Sequence, residues 1–438
     1  MKIVKKYKEN YEIIKYKIGG LTVFRKKKPY SPQEPDRNRL SVNEMFLTKH
    51  RNLHPLNISE TIDKKAGRRL NVVADTINET YLLGGVGTAL ILATVFCARE
   101  NIDLRIITRC TDVSPDSYFK FIKMMNLPQP DKIEFYSDYQ RDAFGISNQY
   151  LSVTREDTFL ATSWWTAQEL KNSGINKFYY IIQEVETFFY PQGSLHWRCS
   201  QILNDPDIRF IVNSKYLYDY FKEHFPNIVE NGVYFVPAFP NEIYRHSDKK
   251  RSKHKLFFYS RPYNERNLYE LGVLALDEAI RNGFIDTDKW EIYFAGSAVD
   301  EFEFSNGYVP KFLGQLNWKE YADFLSDVDV TLCLIYTPHP SYPNLDTLAS
   351  GGVAVTNVFA NKNKSDCSDN FILSPLSVEG LSEGLKQGIQ LSLNRKQREQ
   401  NYRNQQIPNN WEKTLEKSLE YMKQNLPYCM VENFNEKE

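Results

Sequence analysis

The chain has 438 residues, which is too long for a single ordinary hydrophobic core. We therefore expect two α/β domains of roughly 150 to 200 residues each. Lysine plus arginine number 55, as do aspartate plus glutamate, so the chain lacks the overall positive charge of a nucleic-acid-binding protein. Its six cysteines are scattered without a CxxC pair, which is typical of the reducing cytoplasm.

The basic residues are concentrated at the start of the chain. Residues 1–28 contain ten lysines and arginines against Glu9 and Glu12. This excess could either contact anionic headgroups at the inner face of the plasma membrane or form a solvated basic arm. The uncharged run Tyr81–Ala98 is interrupted by clustered glycines, which favour a tight turn and a buried helix over a membrane span.

Short β-rich runs alternate with helical stretches from residue 69 onwards. This alternation predicts α/β architecture with parallel, doubly wound sheets. The polar, basic stretch Pro240–Lys255 interrupts the pattern, which then restarts, as expected of an interdomain linker. We therefore predict an N-terminal extension, two Rossmann-like domains facing a cleft, and a C-terminal docking helix, at residues 1–68, 69–245, 251–410 and 411–438 respectively.

Two arginines follow a predicted buried strand of the second domain. In the segment SRPYNER, Arg261 and Arg266 lie five residues apart. The carboxyl edge of a parallel sheet faces the ligand crevice, and guanidinium groups bind phosphate oxygens in bidentate fashion. The alternative is a pair of surface arginines balanced by Glu265 and Glu270.

A proline-rich loop leads into a second candidate anion site. In PHPSYPNLDTLASGG, a short predicted helix starts around Pro343 or Asn344, directly after Ser341 and Tyr342. Backbone N–H groups at a helix start attract anions. Taken alone, the loop could equally be a stiff segment that packs against a neighbour.

The first domain contains a glycine-rich turn, LLGGVGTA, in the position of a dinucleotide-binding loop. With Arg109 at the end of the following strand, an NADP site is an alternative interpretation. The G-x-G-x-x-G fingerprint that begins with Gly85 and Gly87 is incomplete, because Leu90 stands where the third glycine belongs. The turn therefore predicts only a close approach of backbone to a sugar or phosphate.

Two further strand ends of the first domain carry aromatic or polar clusters. Trp164 and Trp165 could stack on an acceptor sugar, although core packing explains tryptophans at least as well. Gln183, Glu184 and Glu186 follow a buried strand, where carboxylates could accept hydrogen bonds from sugar hydroxyls. We place these residues at an acceptor site, with the two glutamates as candidate catalytic groups.

We expect no metal requirement. The D-x-D pairs lie at the front edges of strands or in turns, where local capping explains them better than a divalent cation. These pairs are Asp205 with Asp207, Asp286 with Asp288, and Asp327 with Asp329. His50 and His54 are four residues apart, but the adjacent Pro55 argues against a helical two-histidine site.

Taken in order, the motifs GGVGTA, SRPYNER, YFAG, KFLGQL and LDTLASGGVAV resemble the retaining GT-B glycosyltransferase family 4, over most of residues 70–425. The segment IIQEVETFFYPQGS resembles the variant found in bacterial rhamnosyltransferases that build cell-surface and S-layer glycans. The resemblance implies a GT-B fold, dTDP-β-L-rhamnose as donor, a lipid-linked or oligosaccharide acceptor, retention of configuration and no cofactor.

The resemblance also implies residue roles. Arg261 and Arg266 fall on the basic pair that holds the diphosphate, Asp346 on the acid that binds the ribose, and residues 311–314 on the loop that meets the base. Together with the motifs above, the expected donor contacts are Gly85, Gly87, Gly296, Lys311, Phe312, Ser341, Tyr342, Asn344 and Asp346.

The chain departs from the family pattern at two points. Pro338 stands where the first glutamate of the E-x7-E motif belongs, and Gln183 and Glu184 lie near the place of the usual first-domain histidine. The contacts to the donor sugar are therefore less defined than those to the diphosphate. A transferase using UDP or GDP sugars, a non-catalytic sugar-nucleotide-binding protein and an NADP-dependent oxidoreductase remain as alternatives.

Overall fold

The computed structural model contains two compact units, Met1–His50 and Arg51–Glu438. The residues that it describes are 2–8, 11–18, 21–29, 42, 45, 50, 53–61, 67–79, 82, 84–138, 149–246, 251–296 and 299–427. The first unit contains an antiparallel sheet in the order β1-β2-β3, formed by Lys2–Lys8, Tyr11–Ile18 and Leu21–Pro29. From the sequence an extension is predicted here but no strands, because the lysine-rich runs are equally typical of a solvated arm.

The second unit begins with a seven-stranded sheet in the order β12-β11-β10-β9-β5-β6-β7, in which all neighbours run parallel. A two-stranded parallel sheet, β4-β8, accompanies it. The strands β4 to β12 are Ile58–Glu60, Arg69–Ala74, Asp103–Thr108, Ile133–Ser137, Leu151–Val153, Asp157–Ala161, Tyr179–Ile182, Arg209–Asn213 and Gly232–Phe235. The helices between them are Gly85–Glu100, Pro115–Met124, Trp164–Asn172, Ser194–Leu203, Lys215–His224 and Pro226–Glu230.

A second parallel sheet follows, in the order β15-β14-β13-β16-β17-β18. Its strands β13 to β18 are His254–Tyr259, Trp290–Ala295, Lys311–Gly314, Val330–Leu332, Val353–Asn357 and Phe371–Ser374. The helices of this half are Tyr269–Arg281, Trp318–Leu325, Tyr342–Ala349, Val378–Leu393, Arg395–Asn404 and Trp411–Gln424. The predicted α/β class with two Rossmann-like halves is confirmed.

Each sheet is wound in both directions from a central strand. In the first sheet β5 lies between β6 and β9, and in the second β13 lies between β14 and β16. The crevice outside the carboxyl ends of such strands is where open α/β sheets bind ligands. The topology therefore predicts that the residues following β5, β10 and β13 border a ligand crevice.

The uncharged run of the first half is a core helix. In Gly85–Glu100, residues from Gly87 to Cys97 are buried. Among the described residues, no helix combines the length and apolar character needed to cross a bilayer. The predicted turn followed by a buried helix is confirmed.

The C-terminal helix Trp411–Gln424 packs back on the first half. Trp411, Leu415, Leu419 and Met422 belong to the same buried cluster as the side chains of the first sheet. Arg99 forms an ion pair with Glu416, 2.7 Å apart, at the edge of this contact. The predicted docking helix is confirmed for residues up to 427, and residues 428–438 lie outside the described part of the chain.

The backbones at the ends of β13 and β14 are in contact directly before Arg261, the first of the two candidate arginines. Ser260 N donates to Ala295 O across 3.0 Å, and a Cβ built on Gly296 would lie 1.6 Å from Ser260 O. The backbone contact therefore requires a glycine at position 296. This contact also fixes the position of the backbone just before Arg261. The donor contact predicted for Gly296 stays a prediction.

We expect Gly296→Ala to lower the free energy of unfolding by ~1–3 kcal/mol, because the two strand ends must separate to accept the methyl group. Urea denaturation measures the change. Gly67→Ala is the matched control, since a Cβ there meets nothing within 4 Å. An unfolding midpoint for Gly296→Ala that equals the wild-type value would contradict the close approach.

Candidate functional site

Residues that follow the carboxyl ends of strands in both sheets meet in one cleft. Asn213, the last residue of β11, donates from Nδ2 to the hydroxyl of Tyr342 across 2.8 Å. The same hydroxyl lies 2.5 Å from Thr88 Oγ1 in the helix after β5. Tyr342, the first residue of its helix, thus connects the second half to two elements of the first.

The two predicted arginines lie together in this cleft. A pocket of about 370 Å³ is lined by Phe188, Phe189, Arg261, Tyr263, Asn264, Glu265 and Arg266. The first half contributes the two phenylalanines, and the second contributes the segment after β13. Arg261 is exposed, so its guanidinium is accessible to a ligand.

Arg266 is held by groups from the opposite half. Its Nη1 lies 2.7 Å from Glu184 Oε2, and its guanidinium carbon lies 4.3 Å from the centre of the Phe189 ring. Thr337 donates its hydroxyl to the other oxygen of Glu184. Glu184, which sequence analysis placed with the acceptor, is thus paired with an arginine of the expected diphosphate site.

The loop that leads into the helix Tyr342–Ala349 is strained at its last residue. Ser341 has φ 68°, in the left-handed region that costs a residue other than glycine ~1–3 kcal/mol. Its N–H donates to His339 Nδ1 across 2.9 Å. The His339 proton therefore resides on Nε2, which is buried and has no hydrogen-bond partner among the described residues.

A buried lysine holds the same loop from behind. Lys362 Nζ donates to the carbonyls of Ile335 and His339, across 3.3 and 3.4 Å. Burial lowers the pKa of Lys362 to about 8, while Cys333 and Glu184 favour its charged form. Burial, together with the nearby charges of Lys362 and Arg266, lowers the pKa of His339 to about 3, so its imidazole is neutral.

Within the helix itself, two predicted donor residues have protein partners. Asn344 Nδ2 donates to Cys333 O and Pro340 O across 3.1 and 2.9 Å, which anchors the loop. Asp346 accepts from the Tyr321 hydroxyl across 3.0 Å, and burial raises its pKa to about 7. Asn344 Oδ1 is buried without a hydrogen-bond partner among the described residues, so it retains an acceptor for a further hydrogen bond.

The glycine-rich turn is approached by Gln183. Gln183 Nε2 donates to Gly85 O across 2.6 Å, and its Oε1 accepts from Asn213 across 3.0 Å. A side chain of the protein itself thus contacts the backbone of the turn, and an approach of this backbone to a sugar or phosphate stays a prediction. Gly87 serves packing, because a Cβ there would lie 2.2 Å from Leu82 O.

Burial contradicts the acceptor-side roles predicted for two residues, Trp164 and Glu186. Trp164 is fully buried, and its indole N–H donates to the Tyr190 hydroxyl across 3.0 Å, so it cannot stack on a sugar. Glu186 is also buried and accepts from the backbone N–H of Trp164 across 2.7 Å. Burial raises the pKa of Glu186 to about 8, although the hydrogen bonds from Trp164 and Tyr180 oppose the shift.

Trp165 is half-buried and donates to Asp75 Oδ2 across 2.9 Å. Asp75 also pairs with Arg109, whose other partner is Glu169. Arg109, the residue behind the NADP interpretation, is therefore buried in an ion-pair network inside the first half.

The expected base-binding strand lies at the edge of the second sheet. Lys311 Nζ contacts Glu291 Oε1 across 2.6 Å, and the Phe312 ring lies 5.6 Å from that of Phe294 in the hydrophobic core. Phe312 is thus partly buried and packs against the core of the second half.

Thr337, His339, Lys362 and the aromatic lining of the pocket were not predicted from the sequence. Lys362 lies in the polar run NKNKSD, which suggests a solvated loop rather than a buried cation. His339 could have been flagged as the histidine between two prolines in the candidate anion loop. Within the described residues, no cluster of three or more His, Cys, Asp or Glu side chains could hold a metal ion.

The burial of Glu186 can be tested by the pH dependence of stability, because burial raises its pKa. Between its folded value of about 8 and its unfolded value of ~4.3, the folded state keeps a proton that the unfolded state releases. This group therefore makes the free energy of unfolding fall as pH rises, by ~1.4 kcal/mol per pH unit. We expect Glu186→Gln to lose less stability than wild type between about pH 5 and pH 8 in urea titrations.

Glu223→Gln, at an exposed helix position, is the matched control and should follow the wild-type curve. Identical pH dependence of Glu186→Gln and wild type would contradict a buried, protonated Glu186.

Known proteins with related sequences and folds agree with this architecture. Residues 69–215 match the N-terminal domain of WsaF, and residues 254–386 match its C-terminal domain. The O-antigen biosynthesis protein RfbC of Myxococcus xanthus is 29% identical over 208 residues, which are 46% of this chain and 15% of RfbC. The chain thus spans only a small part of the length of that curated relative.

Solved glycosyltransferase structures share the fold at low identity. HepE of Anabaena, crystallised with UDP-glucose, has a TM-score of 0.57 at 11% identity, covering 82% of this chain and 100% of HepE. TarM of S. aureus gives 0.55 at 8% identity, covering 81% and 99%. WaaG, a glycosyltransferase involved in lipopolysaccharide biosynthesis, gives 0.53 at 12% identity, covering 80% and 98%. The chain therefore belongs to the WsaF family and has the GT-B fold of glycosyltransferases.

Proposed function

We propose that this chain is a glycosyltransferase that moves L-rhamnose from dTDP-β-L-rhamnose to a growing cell-surface glycan, with retention of configuration. The observation that carries the proposal is the pocket between the two Rossmann-like halves in which Arg261 and Arg266 lie together. Membership of the WsaF family and the O-antigen role named for RfbC support a polysaccharide product. The acceptor is a lipid-linked or free oligosaccharide, met in the cytoplasm or at the inner membrane face.

In this proposal the main catalytic requirement is positive charge at the departing diphosphate. Arg261 faces the pocket, and the positive end of the helix Tyr342–Ala349 begins beside the same cleft. The neutral His339 can donate from Nε2 and adds no charge of its own. As the sugar–phosphate bond breaks, a diphosphate oxygen can accept the proton of the attacking hydroxyl, so no protein nucleophile is needed.

In this scheme Arg266 has two states, one paired with Glu184 and one bound to the diphosphate. Without donor, the carboxylate neutralises the guanidinium across 2.7 Å. A bound diphosphate would compete for the same guanidinium and release Glu184 towards the pocket, where it could orient an acceptor hydroxyl. Because Arg266 also contacts Phe189, its position would be kept during the exchange.

Calorimetric titration with dTDP, UDP, GDP and NADP tests the donor class. We expect selective dTDP binding that Arg261→Ala weakens by about 10- to 100-fold, the effect of losing charge-assisted hydrogen bonds worth ~1.5–3 kcal/mol. Lys319→Ala, whose side chain is 86% exposed, is the matched control and should bind like wild type. A preference for UDP or GDP would contradict rhamnose as the donor sugar, and binding of NADP alone would contradict a transferase.

Glu184→Gln tests the exchange. Removing a carboxylate next to the diphosphate removes a repulsion of ~1 kcal/mol or more at partly buried distances, so dTDP should bind at least about 5-fold more tightly. Turnover should fall at the same time, since the amide is a weaker partner for the acceptor hydroxyl. Weaker dTDP binding would instead mean that Glu184 serves only to orient Arg266.

A further inference from the structure

A second pocket lies between the two halves, where the segments that follow β11 and β17 meet. It has a volume of about 350 Å³ and is lined by Lys215, Tyr216, Asp219, Asn361, Asn363, Lys364, Ser365 and Asp366. The first three residues open the helix that follows β11, and the others form the loop that follows β17. This pocket therefore lies at the carboxyl ends of both sheets, as the arginine pocket does.

The charges of this second pocket are balanced. Lys215 pairs with Asp219, and the Tyr216 hydroxyl donates to Asp366 Oδ1 across 2.7 Å. With Lys364, the lining contributes two cations and two carboxylates. A phosphate or an anionic lipid would meet as much repulsion as attraction here, whereas a neutral ligand would meet none.

The polar groups suit a ligand rich in hydroxyls. The side chains of Asn361, Asn363 and Ser365 offer both donors and acceptors, and Tyr216 is the one aromatic ring in the lining. Asn361 Nδ2 donates to Tyr216 O across 2.8 Å, which fixes the loop against the helix. Asn363 and Lys364 are exposed, so their side chains are accessible from solvent.

Aromatic rings connect this pocket to the arginine pocket. Phe188, which lines the arginine pocket, lies 6.2 Å from the ring of Tyr220 and 5.9 Å from that of Phe359. Tyr220 belongs to the same helix as Lys215, and Phe359 precedes Asn361 by two residues. Phe188, Tyr220 and Phe359 thus form an aromatic bridge from one pocket to the other.

We propose that the second pocket is an acceptor subsite, which binds a neutral saccharide unit of the growing glycan at a distance from the hydroxyl that reacts in the arginine pocket. The inference rests on the proposed glycosyltransferase function. A chain of sugars would cross the aromatic bridge, whose rings offer apolar faces to sugar rings. Binding of such a remote unit aligns the reacting hydroxyl, so longer acceptors should react better than single sugars.

The test uses the full chain with a methyl trirhamnoside and methyl rhamnoside as probes, in the presence of dTDP. We expect saturation-transfer NMR to detect the trirhamnoside on wild type, with an affinity at least about 10-fold higher than that of the monosaccharide. In Asn363→Ala/Lys364→Ala this advantage should fall to about 2-fold or less, while calorimetric dTDP binding stays unchanged. Lys319→Ala is again the control.

Turnover with the same two acceptors gives an independent readout. The double variant should lose kcat/KM for the trirhamnoside and keep it for the monosaccharide. Equal affinity of wild type for both sugars, or an unchanged advantage in the double variant, would overturn the subsite. So would a loss confined to a diphosphate-bearing acceptor, since it would identify an anion site.

Failure of the proposed function has a different signature. Absence of dTDP binding or of rhamnosyl transfer in wild type would contradict the donor or the reaction. Trirhamnoside binding, and its loss in the double variant, would still decide whether the subsite exists.

Discussion

The cleft depends on one ion pair, between Arg266 of the second half and Glu184 of the first. A guanidinium whose side chain is only 21% exposed needs a close anion, and Glu184 supplies it across 2.7 Å. The hydroxyl of Thr337, which belongs to the same half as Arg266, donates to the other oxygen of Glu184. Whatever binds Arg266 therefore also affects this contact between the halves.

The second half supports the pair through a loop that would not keep its shape unaided. Ser341 is held at a positive φ by its hydrogen bond to His339, and Lys362 binds two carbonyls of the loop from behind. Backbone strain persists only where surrounding contacts over-determine it, and such strain is concentrated at ligand sites. The buried ammonium also adds positive potential beneath the site without occupying space in the pocket.

The general architecture could be predicted because it depends on local alternation. Strands of Val, Ile, Phe and Tyr separated by helices specify parallel sheets, and the spacing of Arg261 and Arg266 after β13 places both at a sheet edge. The environment of single side chains could not be predicted in this way. Trp164 and Trp165 are adjacent and chemically identical, yet one is buried in the core and the other is half-buried.

Glu184 and Glu186 show the same limit. They lie two residues apart, and the 3-10 turn Glu186–Phe189 directs the second carboxyl into the first half while the first reaches across the cleft. Sequence patterns report which residues follow a strand but not the direction in which a following turn points them. Lys362 was missed for a related reason, since a lysine in a polar run is usually solvated.

The kind of cationic group distinguishes the two pockets of the cleft, since the first has arginines and the second has lysines. The arginine pocket is lined by two guanidinium groups and the carboxylate of Glu265, and Arg266 is also paired with Glu184 of the opposite half. The second pocket has equal numbers of cations and carboxylates. Guanidinium groups bind phosphate oxygens in bidentate fashion, so the first pocket suits an anionic ligand better, while a neutral polyol is not repelled from the second. Aromatic rings between the two suit a ligand with one charged end and an uncharged, ring-containing partner, which is the combination that a sugar nucleotide and a glycan present together.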